Sequence, residues 1–167
     1  MQQPIVISGA GILGCYISCA LSLQGIDSIV LEKKDDEVED SVRTITLNPF
    51  SKNLLDKIGI ENDYSMINKM EVKDFDGTGK IVFKSSEIGM DHLAYVSDFA
   101  TLLMAIRKKA SEKILYKEEI IDIDNKGDLN EVTLSSGKVI KTNLIISSDG
   151  KNSKLANKIP KSDKDYF

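Results

Sequence analysis

The six residues Gly9-Ala10-Gly11-Ile12-Leu13-Gly14 constrain what this chain can fold into more than any other feature. They follow a short, wholly apolar run, Ile5 to Ile7, of the kind expected for a strand covered on both faces. Beyond them Leu13, Ile17, Ala20, Leu21 and Leu23 recur at helical intervals to about Gln24, where Gly25 offers a stop. Ser28 to Leu31 is a second apolar strand, closed by Glu32. Strand, glycine turn, helix and strand within about 30 residues make one βαβ unit. Each glycine has its own duty in such a unit. Gly9 permits the tight turn, Gly11 lets the backbone approach a pyrophosphate, and Gly14 lets the helix pack close to the strand.

The first helical N–H groups, at Ile12 and Leu13, lack intrahelical partners and sit at the positive end of the helix dipole, a natural place for a diphosphate. Glu32, at the end of the second strand, can accept hydrogen bonds from a ribose hydroxyl pair, and its charge disfavours the 2′-phosphate of NADP. The pattern thus points to dinucleotide binding, with Gly9, Ala10, Gly11, Ile12, Leu13, Gly14, Glu32 and the adjoining Lys33 as candidate cofactor-binding residues. It does not separate FAD from NAD.

Lys33 also opens a mixed charge run to Asp40 that reads as a solvated loop. Asn48 to Ile58 and Phe99 to Lys109 carry apolar residues at helical spacing. Met70 to Phe75 and Lys80 to Phe83 read as a hairpin around Asp76-Gly77-Thr78-Gly79. Ile120 to Ile123, Glu131 to Leu134 and Val139 to Ile146 read as further strands, and the tail from Lys158 to Phe167 shows no closing element. The expected fold is therefore α/β: a Rossmann-like domain with a βαβ core, a parallel sheet and an antiparallel β-meander excursion.

The formal charge of −4 offers no basic patch for nucleic acid. No apolar run reaches the ~18 residues of a membrane span, and the N-terminus lacks the pattern of a signal peptide. The expected compartment is the cytoplasm. Cys15 and Cys19 stand four apart with no second cluster to complete a metal site, so they read as small buried residues on a helix face. No metal site and no acid or base for catalysis is expected.

Two later segments join the glycine turn in a more specific combination. Arg43, within Ser41-Val42-Arg43-Thr44-Ile45-Thr46-Leu47, precedes the helix that ends near Leu54-Leu55-Asp56-Lys57-Ile58-Gly59. Leu144-Ile145-Ile146-Ser147-Ser148-Asp149-Gly150 closes a late strand. In this order the chain resembles the class A flavoprotein aromatic monooxygenases, especially the polyprenyl-phenol hydroxylases of ubiquinone biosynthesis, over essentially its whole length. The resemblance implies FAD as cofactor, held at Gly9, Gly11 and Gly14 with Glu32 on the adenosine ribose. It implies Arg43 near the flavin and its phosphates, and Asp149 and Gly150 in a segment serving FAD and the nicotinamide donor. It implies NAD(P)H and an aromatic substrate as partners, and peripheral membrane association through a ubiquinone-pathway complex as an extension of the cytoplasmic expectation.

The chain departs from the family pattern at Ser147-Ser148, where the family carries Gly-Ala, and at Ala100 and Ala156, where relatives carry arginines. Members are considerably longer, so residues 1–167 are expected to be an N-terminal FAD-binding portion that ends before the substrate-binding sheet, with self-association or a partner chain covering exposed apolar surface. A non-catalytic remnant or split-gene subunit that binds dinucleotide weakly or not at all is the alternative. A small NAD-dependent dehydrogenase is another, without a recognisable Tyr-x-x-x-Lys or His-based group to support it.

Overall fold

The computed structural model of the chain describes residues 3–38, 42–150 and 155. The end of the charge run, residues 151–154 and the tail beyond 155, including Ala156 and Lys158 to Phe167, lie outside the described residues. The chain divides into two compact units. Val38–Ala105 forms one, and the described residues on either side of it form the other.

The flanking unit is built on a parallel sheet ordered β12-β1-β2-β8, from Ile145–Ser147, Ile5–Ser8, Ser28–Glu32 and Ile114–Tyr116. Its register puts Val6 beside Ile29 and Ile145, and Leu31 beside Leu115. These residues share one face. They pack on Val132, Leu134 and Ile140 of an antiparallel sheet formed by β9 (Ile120–Asn125), β10 (Asn130–Leu134) and β11 (Val139–Thr142). The opposite face, with Ile7 and Val30, is covered by α1 (Ile12–Leu23). Ser18 of that helix and Ser28 of β2 share a buried hydroxyl hydrogen bond of 2.8 Å. The expected α/β architecture, a parallel sheet with an antiparallel excursion, is thus the one the chain adopts.

Two details differ from the sequence reading. The run Val139 to Ile146 is not one strand but β11 and β12, in different sheets. The break falls at Thr142, whose buried Oγ1 lies 2.8 Å from the carbonyl oxygens of both Pro4 and Leu144 and accepts from the Leu144 N–H. That cluster turns the chain from the meander into the parallel sheet. The second difference is the exposure of two leucines of α1, whose small residues are buried as read for Gly14, Cys15 and Cys19. Gly14, Cys15, Ser18 and Cys19 are the helix's buried residues, whereas Leu13 and Leu23 are 61% and 63% exposed. Small side chains win because the helix approaches the sheet too closely for leucines.

The other unit pairs β3 (Thr44–Leu47) and β4 (Ser65–Ile67) antiparallel with β7 (Ala94–Asp98), and carries a separate hairpin of β5 (Lys69–Lys73) and β6 (Lys80–Lys84). Helix α2 (Pro49–Lys57) starts with proline at its first position and Asn48 accepting from the Ser51 N–H at 2.7 Å. Leu55 and Ile58 from this segment are buried. Helix α3 (Phe99–Ala110) follows Asp98, whose carboxylate accepts from the Thr101 N–H at 2.7 Å and is thereby held below its ordinary range. No described helix is long and apolar enough to cross a membrane.

Candidate dinucleotide site

The glycine turn lies between β1 and α1, at the carboxyl end of the parallel strands, where open α/β sheets bind their ligands. Its three glycines do different work. Gly9 has a φ of +102°, and a Cβ there would come within 2.7 Å of the Ser148 carbonyl oxygen. A Cβ on Gly14 would come within 2.0 Å of the Gly9 carbonyl oxygen and 2.6 Å of Ser148 Oγ. Both positions are therefore closed to side chains by the chain's own packing. Gly11 has nothing within 4 Å of the space a Cβ would fill, so that space is open to a ligand. Gly11 is also the N-cap of α1, supplies no capping side chain, and is followed by no acidic residue in the first turn. The first N–H groups of α1 and the dipole behind them therefore face the open space beside Gly11.

Ser147 and Ser148 explain themselves in the same neighbourhood. Ser148 Oγ lies 2.8 Å from the Ser8 carbonyl oxygen and 3.0 Å from that of Gly9. Its N–H donates to Ser8 as well, at 2.8 Å. Ser148 thus ties the end of β12 to the glycine turn, and Ser147 Oγ donates to the Asp149 carboxylate at 2.6 Å.

A cavity of about 300 Å³ opens here. It is lined by Gly9, Gly11, Glu32, Lys33, Asp149 and Gly150, residues drawn from three distant parts of the sequence. Glu118, Glu119 and Ile120 complete its far side. Glu118 accepts from Ser135 Oγ at 2.8 Å and the Ser136 N–H at 3.2 Å, and these bonds hold its carboxyl below the ordinary range. Among the other sequence candidates, Ala10 is fully buried and Leu13 exposed. Arg43 belongs to the other unit, where its guanidinium stacks 4.4 Å from the centre of the Phe99 ring and its carbonyl accepts from the Phe99 N–H at 3.0 Å.

One residue bound to the site's side chains and backbone escaped the sequence reading. Arg107 lies 3.4 Å from Glu32 Oε2 and donates through Nε to the Ala10 carbonyl at 2.9 Å. Its position near the end of α3, beside Lys108 and Lys109, offered no signal beyond that of a cation complementing the helix dipole.

Open space at Gly11, an uncapped helix start and a carboxylate at the end of β2 fit a dinucleotide chemically. The family model described as "FAD binding domain" matches residues 2–165. The chain belongs to the FAD binding domain family. FAD is the cofactor of that family. The chain is 27% identical to the ubiquinone biosynthesis monooxygenase COQ6 of Danio rerio, over 89% of its own length and 36% of that protein. It is 26% identical to the 3-demethoxyubiquinol 3-hydroxylase of Escherichia coli, over 92% of its length and 43% of that protein. The FAD binding domain fold is shared with p-nitrophenol 4-monooxygenase PnpA from Pseudomonas putida, at a TM-score of 0.77 and 18% identity, covering 95% of this chain and 44% of PnpA. The chain therefore spans well under half the length of these relatives.

Proposed function

We propose that the chain is the FAD-binding portion of a flavoprotein monooxygenase that hydroxylates an aromatic, polyprenyl-phenol ring in ubiquinone biosynthesis. The observation that carries this reading is similarity over about nine-tenths of the chain to two ubiquinone-pathway oxygenases, 89% for one and 92% for the other. The substrate-binding part is assigned to the remaining length of those relatives, and residues 1–167 to the cofactor.

Within the cavity, charge sets the direction in which FAD lies. Glu118, Glu119 and Asp149 repel a diphosphate, so the pyrophosphate belongs at Gly11 and the first N–H groups of α1, at Ile12 and Leu13. Glu32 receives the adenosine ribose, because an ionised carboxylate is an acceptor and a ribose hydroxyl a donor. Lys33 offsets part of the local negative charge. Gly9 and Gly14 act indirectly, holding the turn in the shape that leaves Gly11 open. Asp149 and Gly150 border the cavity on the β12 side and are assigned to the flavin-facing end, and Arg43 is assigned to the flavin and its phosphates on the resemblance alone. Bound FAD would supply the redox chemistry, NAD(P)H being the electron donor and dioxygen the oxidant, with one oxygen atom entering the ring and the other leaving as water. The chain's residues supply position and electrostatics.

A second reading is a non-catalytic protein that binds dinucleotide weakly or not at all. Co-expression with the segment that corresponds to the rest of a relative separates the two. The first reading expects NAD(P)H-dependent oxygen uptake stimulated by a polyprenyl phenol. No such uptake, with FAD bound weakly or not at all, leaves the second.

A further inference from the structure

Glu32 is not a free carboxylate waiting for a ribose. Its Oε2 accepts from the Ala10 N–H at 3.0 Å and lies 3.4 Å from an Arg107 terminal nitrogen. Its Oε1 accepts from the Lys34 N–H at 3.1 Å. A carboxylate has about four acceptor directions. Among the described residues three are engaged, and the one that remains is on Oε1.

Arg107 closes a ring around residue 10. Its Nε donates to the Ala10 carbonyl at 2.9 Å, while the Ala10 N–H donates to the same carboxylate that Arg107 pairs with. The polar groups of the central residue in the glycine turn are thereby both fixed. The guanidinium lies 5.7 Å from the centre of the Tyr116 ring, and strand register places Tyr116 directly beside Glu32. The Arg107 and Glu32 side chains are only 11% and 12% exposed, so solvent screens the pair weakly. A pair this secluded holds its geometry, and loss of either partner leaves an uncompensated charge.

We infer that Arg107 is a positioning residue for the dinucleotide. It orients Glu32 so that Oε1 reads a single adenosine ribose hydroxyl, and it locks the Ala10 peptide so that the neighbouring Gly11 keeps its opening toward the pyrophosphate. The inference rests on the FAD-binding reading. Arg107 itself does not touch the cofactor in this arrangement; its effect passes through Glu32 and Ala10.

The test is titration of the full chain with FAD, and with ADP and 2′,3′-dideoxy-ADP as competitors. It compares the native sequence with Arg107→Met, Arg107→Lys, Glu32→Gln and the Arg107→Met/Glu32→Gln double variant. Arg107→Met is expected to weaken FAD binding by about tenfold, the scale of one charge-assisted hydrogen bond. It should also abolish the preference for ADP over the dideoxy compound, and add less than about threefold once Glu32→Gln is present, as coupled residues do. Arg107→Lys keeps the charge but cannot reach Glu32 and Ala10 as one planar fork, so its ribose preference should fall between the two. If Arg107→Met fails to fold, this ratio in Arg107→Lys carries the test. An unchanged ribose preference in the variants, or a full additional loss in the double variant, overturns the positioning role while leaving FAD binding intact. A native chain that takes up no FAD overturns both the inference and the reading beneath it.

Discussion

The two units of this chain bury apolar residues with unequal success. In the unit that carries the glycine turn, the central strands are covered on both faces, and Val6, Ile7, Val30 and Leu31 are at most 1% exposed. In the other, the β5–β6 hairpin pairs Met70 with Phe83 and Val72 with Ile81 on one face. Val72, Ile81 and Phe83 there remain about half exposed, and Phe75 at the turn is almost wholly so. The opposite face gathers Lys69, Lys73 and Lys80 around Glu71. The hairpin alternates as a half-covered strand pair should, whereas β1 and β2 are apolar on both faces, and among the described residues only these central strands have layers packed on their apolar sides. Alternation tells which face is apolar. It does not tell what covers it.

Substitutions in the two regions sharpen this contrast. Leu31→Ala removes a side chain at the centre of the cluster with Val6, Val132, Leu134 and Ile140. It should cost about 2–5 kcal/mol in denaturant unfolding, the usual range for a buried leucine. A loss below about 1 kcal/mol would mean that the site collapses around the gap and is less tightly packed than described.

A smaller effect tests the helix face. Burial pushes the Cys15 thiol up to about 12 from an ordinary 9.0, with Arg107 pulling weakly the other way. Below pH 9 the thiol is neutral in both folded and unfolded chains, so its contribution to stability is fully present. Above that, the unfolded thiol ionises first, and stability falls as pH rises toward the folded value. Unfolding measured at pH 8 and pH 10 should show a decline in the native chain that Cys15→Ala lacks. Parallel pH dependence in the two proteins would place the thiol in contact with solvent.

The smallest effect belongs to the hairpin. Phe83→Thr should change unfolding free energy by no more than about 0.5–1 kcal/mol, since the ring is already half in water. A cost comparable to that of Leu31→Ala would mean that something covers this face in solution, and size-exclusion chromatography at several concentrations would say whether it is a second copy.

The same contrast marks how far the sequence could be read. The βαβ unit was legible because three local signals agree: an apolar run, glycines at fixed offsets and an acidic residue closing β2. The strand β8 was not, because three residues are too few for periodicity to register. The division of Val139 to Ile146 turns on one threonine hydroxyl that reaches Pro4, a contact no local pattern encodes. On α1 the burial of Gly14, Cys15 and Cys19 was legible, whereas that of Ser18 and the exposure of Leu13 and Leu23 were not, because close helix–sheet approach selects for size rather than hydrophobicity. Arg107 was invisible for a related reason. Its partners Ala10 and Glu32 lie far away in sequence, and only the fold brings them within reach.

The central claim is that the opening at Gly11 receives the dinucleotide. It is tested most directly by titrating FAD into the native chain and into Gly11→Val, with thermal unfolding of both. Gly11 has an ordinary φ of −74° and no atom within 4 Å of its missing side chain, so the variant should fold with an unchanged melting temperature. Saturable FAD binding is expected of the native chain, with its loss by about 100-fold or more when the valine fills the space a pyrophosphate needs. Equal binding by the two folded proteins would contradict it.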